Sequence, residues 1–227
     1  MIEVVRADLS ALPLPDAELG ALLSPDELER AARFHFERDR LRFVRRRAFR
    51  RIWIGARLGM NPAALRFETG SHGKPSVAGM PGGVEFNSSS SADVALLAWS
   101  TEGPVGVDVE WHRPLDSDLA LVAERFAPAE RVAIREATGA AKSRAFFDCW
   151  ARKEAFVKAV GVGLSLELDT FEVPLELKVQ SAEVRWVGTP LSPGAWRVTA
   201  LDVGPEYAAA VVTDHPFEVK WVPMNRT

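Results

Sequence analysis

The chain has 227 residues, a net charge of −3, 47% hydrophobic and 26% charged residues, and a pI near 5.9. That length can bury roughly 70% of the unfolded surface in one large domain or two small fused ones, and the balance excludes a disordered, collagen-like or globally basic nucleic-acid-binding chain. One cysteine, Cys149, and four histidines exclude an intramolecular disulfide and a thiolate zinc cluster. The opening residues carry no basic stretch followed by an apolar core, and no apolar run reaches the ~20 residues of a membrane span. The expectation is a cytoplasmic, membrane-free protein.

Residues 2–9 read as an opening strand. Ser24-Pro25-Asp26-Glu27 combines an N-cap, a first-turn proline and an acidic first turn, so a helix begins there. A second helix is predicted from about Asp39 to Leu58, with Phe43, Val44, Phe49, Ile52 and Trp53 at helical spacing and Gly59 and Pro62 as its stop. Of 22 arginines, 11 lie between Arg30 and Arg57, and they mark an anion-facing surface. Glycine and proline crowd residues 70–83, a turn-rich stretch preceding short strands at 84–87 and 94–99, with the serine run at 88–91 read as a strand-edge turn.

Val105 to Glu110 alternates valine with other residues, predicting a strand with Asp108 and Glu110 on one face. Helices are expected near 117–125, from Pro128 to about Thr138, and from about Ser143 to Val160, where Gly161 and Gly163 stop the last. Segments 170–174, 182–187, 196–201 and 207–212 read as an antiparallel finish. Helices and small sheets occur in both parts of the chain, giving an α+β class divided into residues 1–104 and 105–227.

Asp108 and Glu110, about 7 Å apart by strand rise, could grip one hard cation from the same side; the same spacing also describes an ordinary solvated face. Trp150, Glu154 and Lys158 recur at i, i+4 and Lys153 lies one residue round from Glu154, so all four are expected to share a surface, with a carboxylate flanked by two ammonium groups. Packing and a helix-surface ion pair explain the same residues. If the three carboxylates converge, they make a magnesium site edged by lysines and suited to a diphosphate.

Gly106-Val107-Asp108-Val109-Glu110, followed about forty residues later by Trp150-Ala151-Arg152-Lys153-Glu154-Ala155-Phe156-Val157-Lys158, resembles the paired motifs of 4′-phosphopantetheinyl transferases of the surfactin-synthetase-activating type, within the holo-carrier-protein synthase superfamily. Phe34 to Asp39, Gly73-Lys74-Pro75, Phe86-Asn87-Ser88-Ser89 and Gly161 to Leu166 extend the similarity in family order. The resemblance implies two similar α+β halves related by a pseudo-twofold axis with the active site between them. It further implies Mg-dependent transfer of 4′-phosphopantetheine from coenzyme A to a serine of an apo acyl- or peptidyl-carrier protein, with release of 3′,5′-ADP, by a monomer with no nucleic-acid partner.

On that resemblance Asp108, Glu110 and Glu154 hold magnesium, and Glu154 draws the serine proton directly or through a water. Lys158 faces the transferring phosphate. Arg47, Lys74, Ser89, Ser90, Asp108, Lys153 and Lys158 contact coenzyme A, whereas Trp150 orients its helix by packing. Arg51 is left open between phosphate contact and a solvated face. The chain departs from the family at Ser90, where a histidine is usual; a hydroxyl supplies a hydrogen bond but no cationic imidazolium, and His72, beside Gly73-Lys74, is the candidate to compensate, although a lone loop histidine is exposed by default. The competing reading is a non-catalytic coenzyme A- or nucleic-acid-binding module that uses the arginine-rich helix.

Overall fold

The computed structural model describes residues 1–70, 73–80, 82–175, 181–190 and 194–224. Strand β1 (Ile2–Asp8) is followed by helices α1 (Asp16–Ala21), α2 (Pro25–Ala32) and α3 (Glu37–Leu58), a hairpin of β2 (Phe67–Thr69) and β3 (Pro75–Val77), and strands β4 (Glu85–Ser91) and β5 (Val94–Ser100). Next come β6 (Val105–Trp111), α4 (Ser117–Ala123), α5 (Pro128–Glu136) and α6 (Ala140–Val160). The chain ends in short strands: β7 (Phe171–Glu172), β8 (Ala182–Glu183), β9 (Arg185–Trp186), β10 (Arg197–Ala200), β11 (Tyr207–Thr213) and β12 (Val219–Trp221).

Two four-stranded sheets, ordered β12-β1-β5-β4 and β6-β11-β10-β8, lie between the two long helices. Strand alternation sorts their side chains into layers. On β5, Ala95, Leu97 and Trp99 pack under Phe49, Trp53 and Ile54 of α3, while Val94, Leu96 and Ala98 turn to the other sheet and meet Val105, Val107, Val109 and Val211. On β11 the opposite set, Ala208, Ala210 and Val212, packs beneath Phe156 and Ala159 of α6. The order is helix, sheet, sheet, helix, an α+β arrangement with small, mostly antiparallel sheets.

The valines of β6 point into the layer between the sheets, so Gly106, Asp108 and Glu110 point toward α6. Gly106 is the point of closest approach. A Cβ there would land on the carbonyl oxygen of Ala155 and the amide of Ala159, so the absent side chain lets the helix backbone rest on the strand.

Local sequence signals hold for most elements. Ser24 accepts from the Glu27 amide and Glu27 returns the bond, a capping box opening α2. Gly59 and Gly161 end α3 and α6 in the left-handed conformation. One reading needs correction. The serine run is not a turn: Ser88 to Ser91 belong to β4, paired with Leu97 to Val94 of β5, because two of their hydroxyls find partners on β6. The segments predicted for the finish do pair antiparallel; β12, beyond them, runs parallel to β1, a pairing that no local pattern announces. Helix α1 and the β2-β3 hairpin are too short to show a periodicity.

Gly106→Ala is expected to cost about 2 kcal/mol or more in urea unfolding, because backbone cannot yield as a side-chain tip can, and to lower activity in the fraction that folds.

Candidate active site

The facing edges of the two sheets, β4 and β6, are joined through side chains. The Asn87 Oδ1 accepts from the Val107 amide at 2.9 Å in a buried contact. Two residues on, Ser89 donates to Asp108 Oδ1 at 2.6 Å; two further, Ser91 donates to Glu110 Oε2 at 3.1 Å and accepts from the Trp111 amide at 3.0 Å. Alternating residues of one strand thus reach successive positions of the other.

From the opposite side α6 contributes Trp150, Glu154 and Lys158, one turn apart. The Trp150 indole donates to Glu110 Oε1 at 3.2 Å. The Lys158 ammonium is 2.5 Å from Asp108 Oδ1 and 3.3 Å from the Ser89 hydroxyl. Glu154 feels all of these charges. Burial raises its carboxyl above the ordinary value, Lys158 opposes, and Asp108 and Glu110 raise it further. Glu110 is raised by burial and by Asp108. Burial lowers Lys158, but the Asp108 charge and hydrogen bond together with Glu154 and Glu110 raise it overall.

Three carboxylates therefore share their surroundings with one ammonium. Among the described residues they are not drawn together as a finished metal cage, because Lys158 sits on Asp108. Asp108 Oδ2 is nevertheless buried without a hydrogen-bond partner. An orphaned anionic oxygen beside two carboxylates penalised for ionising fits a hard divalent cation with oxygen ligands.

Lys153 corrects the sequence reading. Its side chain is 0% exposed and its ammonium lies 2.7 Å from Glu130, donating also to the carbonyls of Leu168 and Phe171 at 2.7 Å each and lying over the Phe171 ring. Adjacent helix positions diverge by about 100°, so Lys153 faces the core while Glu154 faces the cleft. Glu130 uses its remaining capacity on the amides of Ala127 and Val173. The pair ties α5, α6 and the segment after α6 together and does not reach a phosphate. The carboxylate of Glu154 has one neighbouring ammonium, not two.

The arginines divide into two groups. Arg42 and Arg45 make two-pronged pairs with Asp93 and Asp16, Arg57 pairs with Glu3, and Arg51, 1% exposed, binds Glu27 and the carbonyls of Pro62 and Leu65. Arg51 is thus a structural residue. Arg30, Arg46, Arg47 and Arg50 line a cleft of about 510 Å³ with Ser88, Ser89 and Ser90. Glu27 is the acid that reaches them, 3.2 Å from Arg50 and 3.8 Å from Arg47, and it is already bound to Arg51. Burial and crowded like charges push the guanidiniums of Arg46, Arg47 and Arg50 below their ordinary value, and the Nε atoms of Arg47 and Arg50 are buried without partners. The cleft is built for anions.

Comparison with known proteins agrees with this geometry. Residues 104–212 match the family model described as the 4′-phosphopantetheinyl transferase superfamily. The chain is 38% identical over 161 residues to 4′-phosphopantetheinyl transferase HetI of Nostoc sp., covering 70% of this chain and 67% of that one. The chain belongs to the 4′-phosphopantetheinyl transferase superfamily. Further relatives are the transferase psf-1 of Bacillus pumilus, 32% identical over 88% of this chain and 82% of its own length, and Sfp of Bacillus subtilis, 29% identical over 86% and 84%.

In this transferase Ser90 lines the arginine cleft, and His72 lies outside the described residues. Lys74 pairs with Glu85 at 2.8 Å, while its neighbours Gly73 and Pro75 line the cleft. The hydrogen bond from Trp150 to Glu110 was not legible as such: i, i+4 spacing places the indole on the site face, but β6 decides what it meets.

Lys153→Met strands Glu130 in the core and should cost about 3 kcal/mol in urea unfolding, with KM for coenzyme A unchanged in the folded fraction. Because Glu110 and Glu154 have raised pKa values, the metal-free native state holds more protons than the unfolded chain above the ordinary value of 4.5; stability should therefore fall as pH rises from there through the folded values. Glu154→Gln should flatten that fall and leave stability at pH 7 equal or higher while transfer is lost, as read by metal-free unfolding against pH.

Proposed function

We propose that the chain transfers 4′-phosphopantetheine from coenzyme A to a serine hydroxyl of an apo carrier protein, releasing 3′,5′-ADP, at the site between α6 and the β4-β6 junction. One observation carries the reading: the arginine cleft runs up to Ser89, and Ser89 is hydrogen-bonded to Asp108 and Lys158. An anion-binding groove thus opens onto an acidic cluster holding one ammonium. A long substrate with a phosphate at one end and a diphosphate further in matches that sequence of charges. The residues named for the site, apart from the buried Lys153, and the division into residues 1–104 and 105–227 are part of this proposal.

Arg47 and Arg50, with Ser90, would take the phosphate on the nucleotide, where two or more guanidiniums offset a dianion better than the missing imidazolium would alone. Ser90 then supplies one neutral hydrogen bond. Lys158 would leave Asp108 for the diphosphate and stabilise charge on the phosphoryl group as the serine oxygen bonds to phosphorus and the bond to the departing ADP oxygen breaks. Magnesium, held by Asp108, Glu110 and Glu154, would neutralise diphosphate charge. Glu154 would accept the serine proton. Among the described residues no hydrogen bond ties its oxygens elsewhere, so a carboxylate oxygen is left to meet the incoming hydroxyl. The setting proposed is cytoplasmic and monomeric.

The nucleic-acid-binding reading is disfavoured because Arg42, Arg45, Arg51 and Arg57 are already paired with carboxylates, which leaves a walled cleft in place of a continuous basic stripe.

Incubation with coenzyme A, Mg²⁺ and an apo carrier protein should add the mass of one phosphopantetheine to the carrier serine. Chelation or Glu154→Gln should abolish the gain, and undiminished transfer by either would overturn the mechanism. Arg47→Ala should raise KM for coenzyme A about tenfold, the scale of one charge-assisted contact, with little change in kcat and a smaller effect on the donor lacking the 3′-phosphate.

A further inference from the structure

Glu110 differs from its two acidic neighbours in being held at both oxygens. Oε1 accepts from the Trp150 indole at 3.2 Å and Oε2 from the Ser91 hydroxyl at 3.1 Å, while Arg113 stands at 3.5 Å, the outer limit of a hydrogen bond. Each donor is itself fixed. The Ser91 oxygen already accepts from the Trp111 amide at 3.0 Å; with one side occupied as an acceptor, its single proton is directed at Glu110. The Trp150 ring is stacked near-parallel to Phe146, at 9° and 6.2 Å, and to Phe126, at 19° and 6.0 Å, which removes the freedom the indole would otherwise lose on binding.

These donors come from separate layers, β4 and α6, so the carboxylate is oriented only where the two sheets and the helix are assembled. By contrast, Asp108 is held at Oδ1 and orphaned at Oδ2. Of the two strand carboxylates, Glu110 alone is thus held at both oxygens.

We infer that Ser91 and Trp150 are positioning residues that hold Glu110 ready for a divalent cation, and that they set the affinity of the site for that cation while taking no part in bond making. The inference rests on the magnesium site proposed above. Partners that orient a metal ligand are commonly worth roughly tenfold or more in metal affinity when removed.

The test is Mn²⁺ binding to the full chain without coenzyme A or carrier, followed by electron paramagnetic resonance, alongside the Mn²⁺ dependence of transfer. Trp150→Phe keeps the stack and deletes only the N–H; Ser91→Ala deletes the hydroxyl and Ser91→Thr restores it. Each deletion is expected to weaken Mn²⁺ binding about tenfold and raise the half-saturating Mn²⁺ by a similar factor, with kcat at saturating metal within about threefold of the parent and Ser91→Thr near the parent. A purely structural role would lower the melting temperature and leave Mn²⁺ affinity unchanged, which overturns the inference. If the parent binds Mn²⁺ in a manner lost in Glu110→Gln, that failure belongs to the positioning role alone. If the parent shows no such binding, the metal site and the positioning role fall together.

Discussion

The contact of α6 with β6 at Gly106 organises this molecule. A helix normally stands off a sheet by the thickness of its side chains, yet here the backbone of Ala155 and Ala159 occupies the space a Cβ would need. That close seating brings Trp150, Glu154 and Lys158 level with Asp108 and Glu110, and it aligns three helical turns with two strand positions. The same strand sends Val105, Val107 and Val109 into the layer between the sheets. One alternating pattern therefore serves packing on one face and chemistry on the other.

Charge is arranged in two unlike ways on either side of β4. Toward α3, guanidiniums outnumber the acid that reaches them, and the surplus is stored in a cleft. Toward α6, carboxylates outnumber the ammonium. Neither imbalance favours folding, because like charges in partly buried settings repel and resist ionisation. Both fit a substrate that brings anionic groups and a cation, and the unpartnered atoms of Arg47, Arg50 and Asp108 fall at these two places. The Glu130–Lys153 pair is by contrast closed on itself, its partners and backbone acceptors satisfied inside the core.

Lys153 and Glu154 show how far a motif can be read. They are neighbours in sequence, both charged, and within one segment rich in chemistry. The helix turns them in different directions, one into a pocket of Phe126 and Phe171 and the other toward Asp108 and Glu110. Arg47 and Arg51, one turn apart on α3, divide differently: Arg51 is drawn inward by Glu27 and two carbonyls, while Arg47 remains at the cleft. In both cases spacing located the face only approximately, and the long-range partner settled the role.

By itself the sequence determined the long helices, their glycine ends, the capping box of α2, the strand carrying Asp108 and Glu110, and the α+β class, since each follows from periodicity and capping within one stretch of chain. The motif pair around Gly106 and Trp150 carried the resemblance to the family. Tertiary structure alone decided that the serine run is a strand facing β6, that β12 joins β1, that Lys153 is buried, and which four arginines stay at the cleft. Those outcomes depend on partners many residues away, such as Glu130 for Lys153 and Glu27 for Arg51. Local propensity carries no information about a contact until the chain has folded to make it.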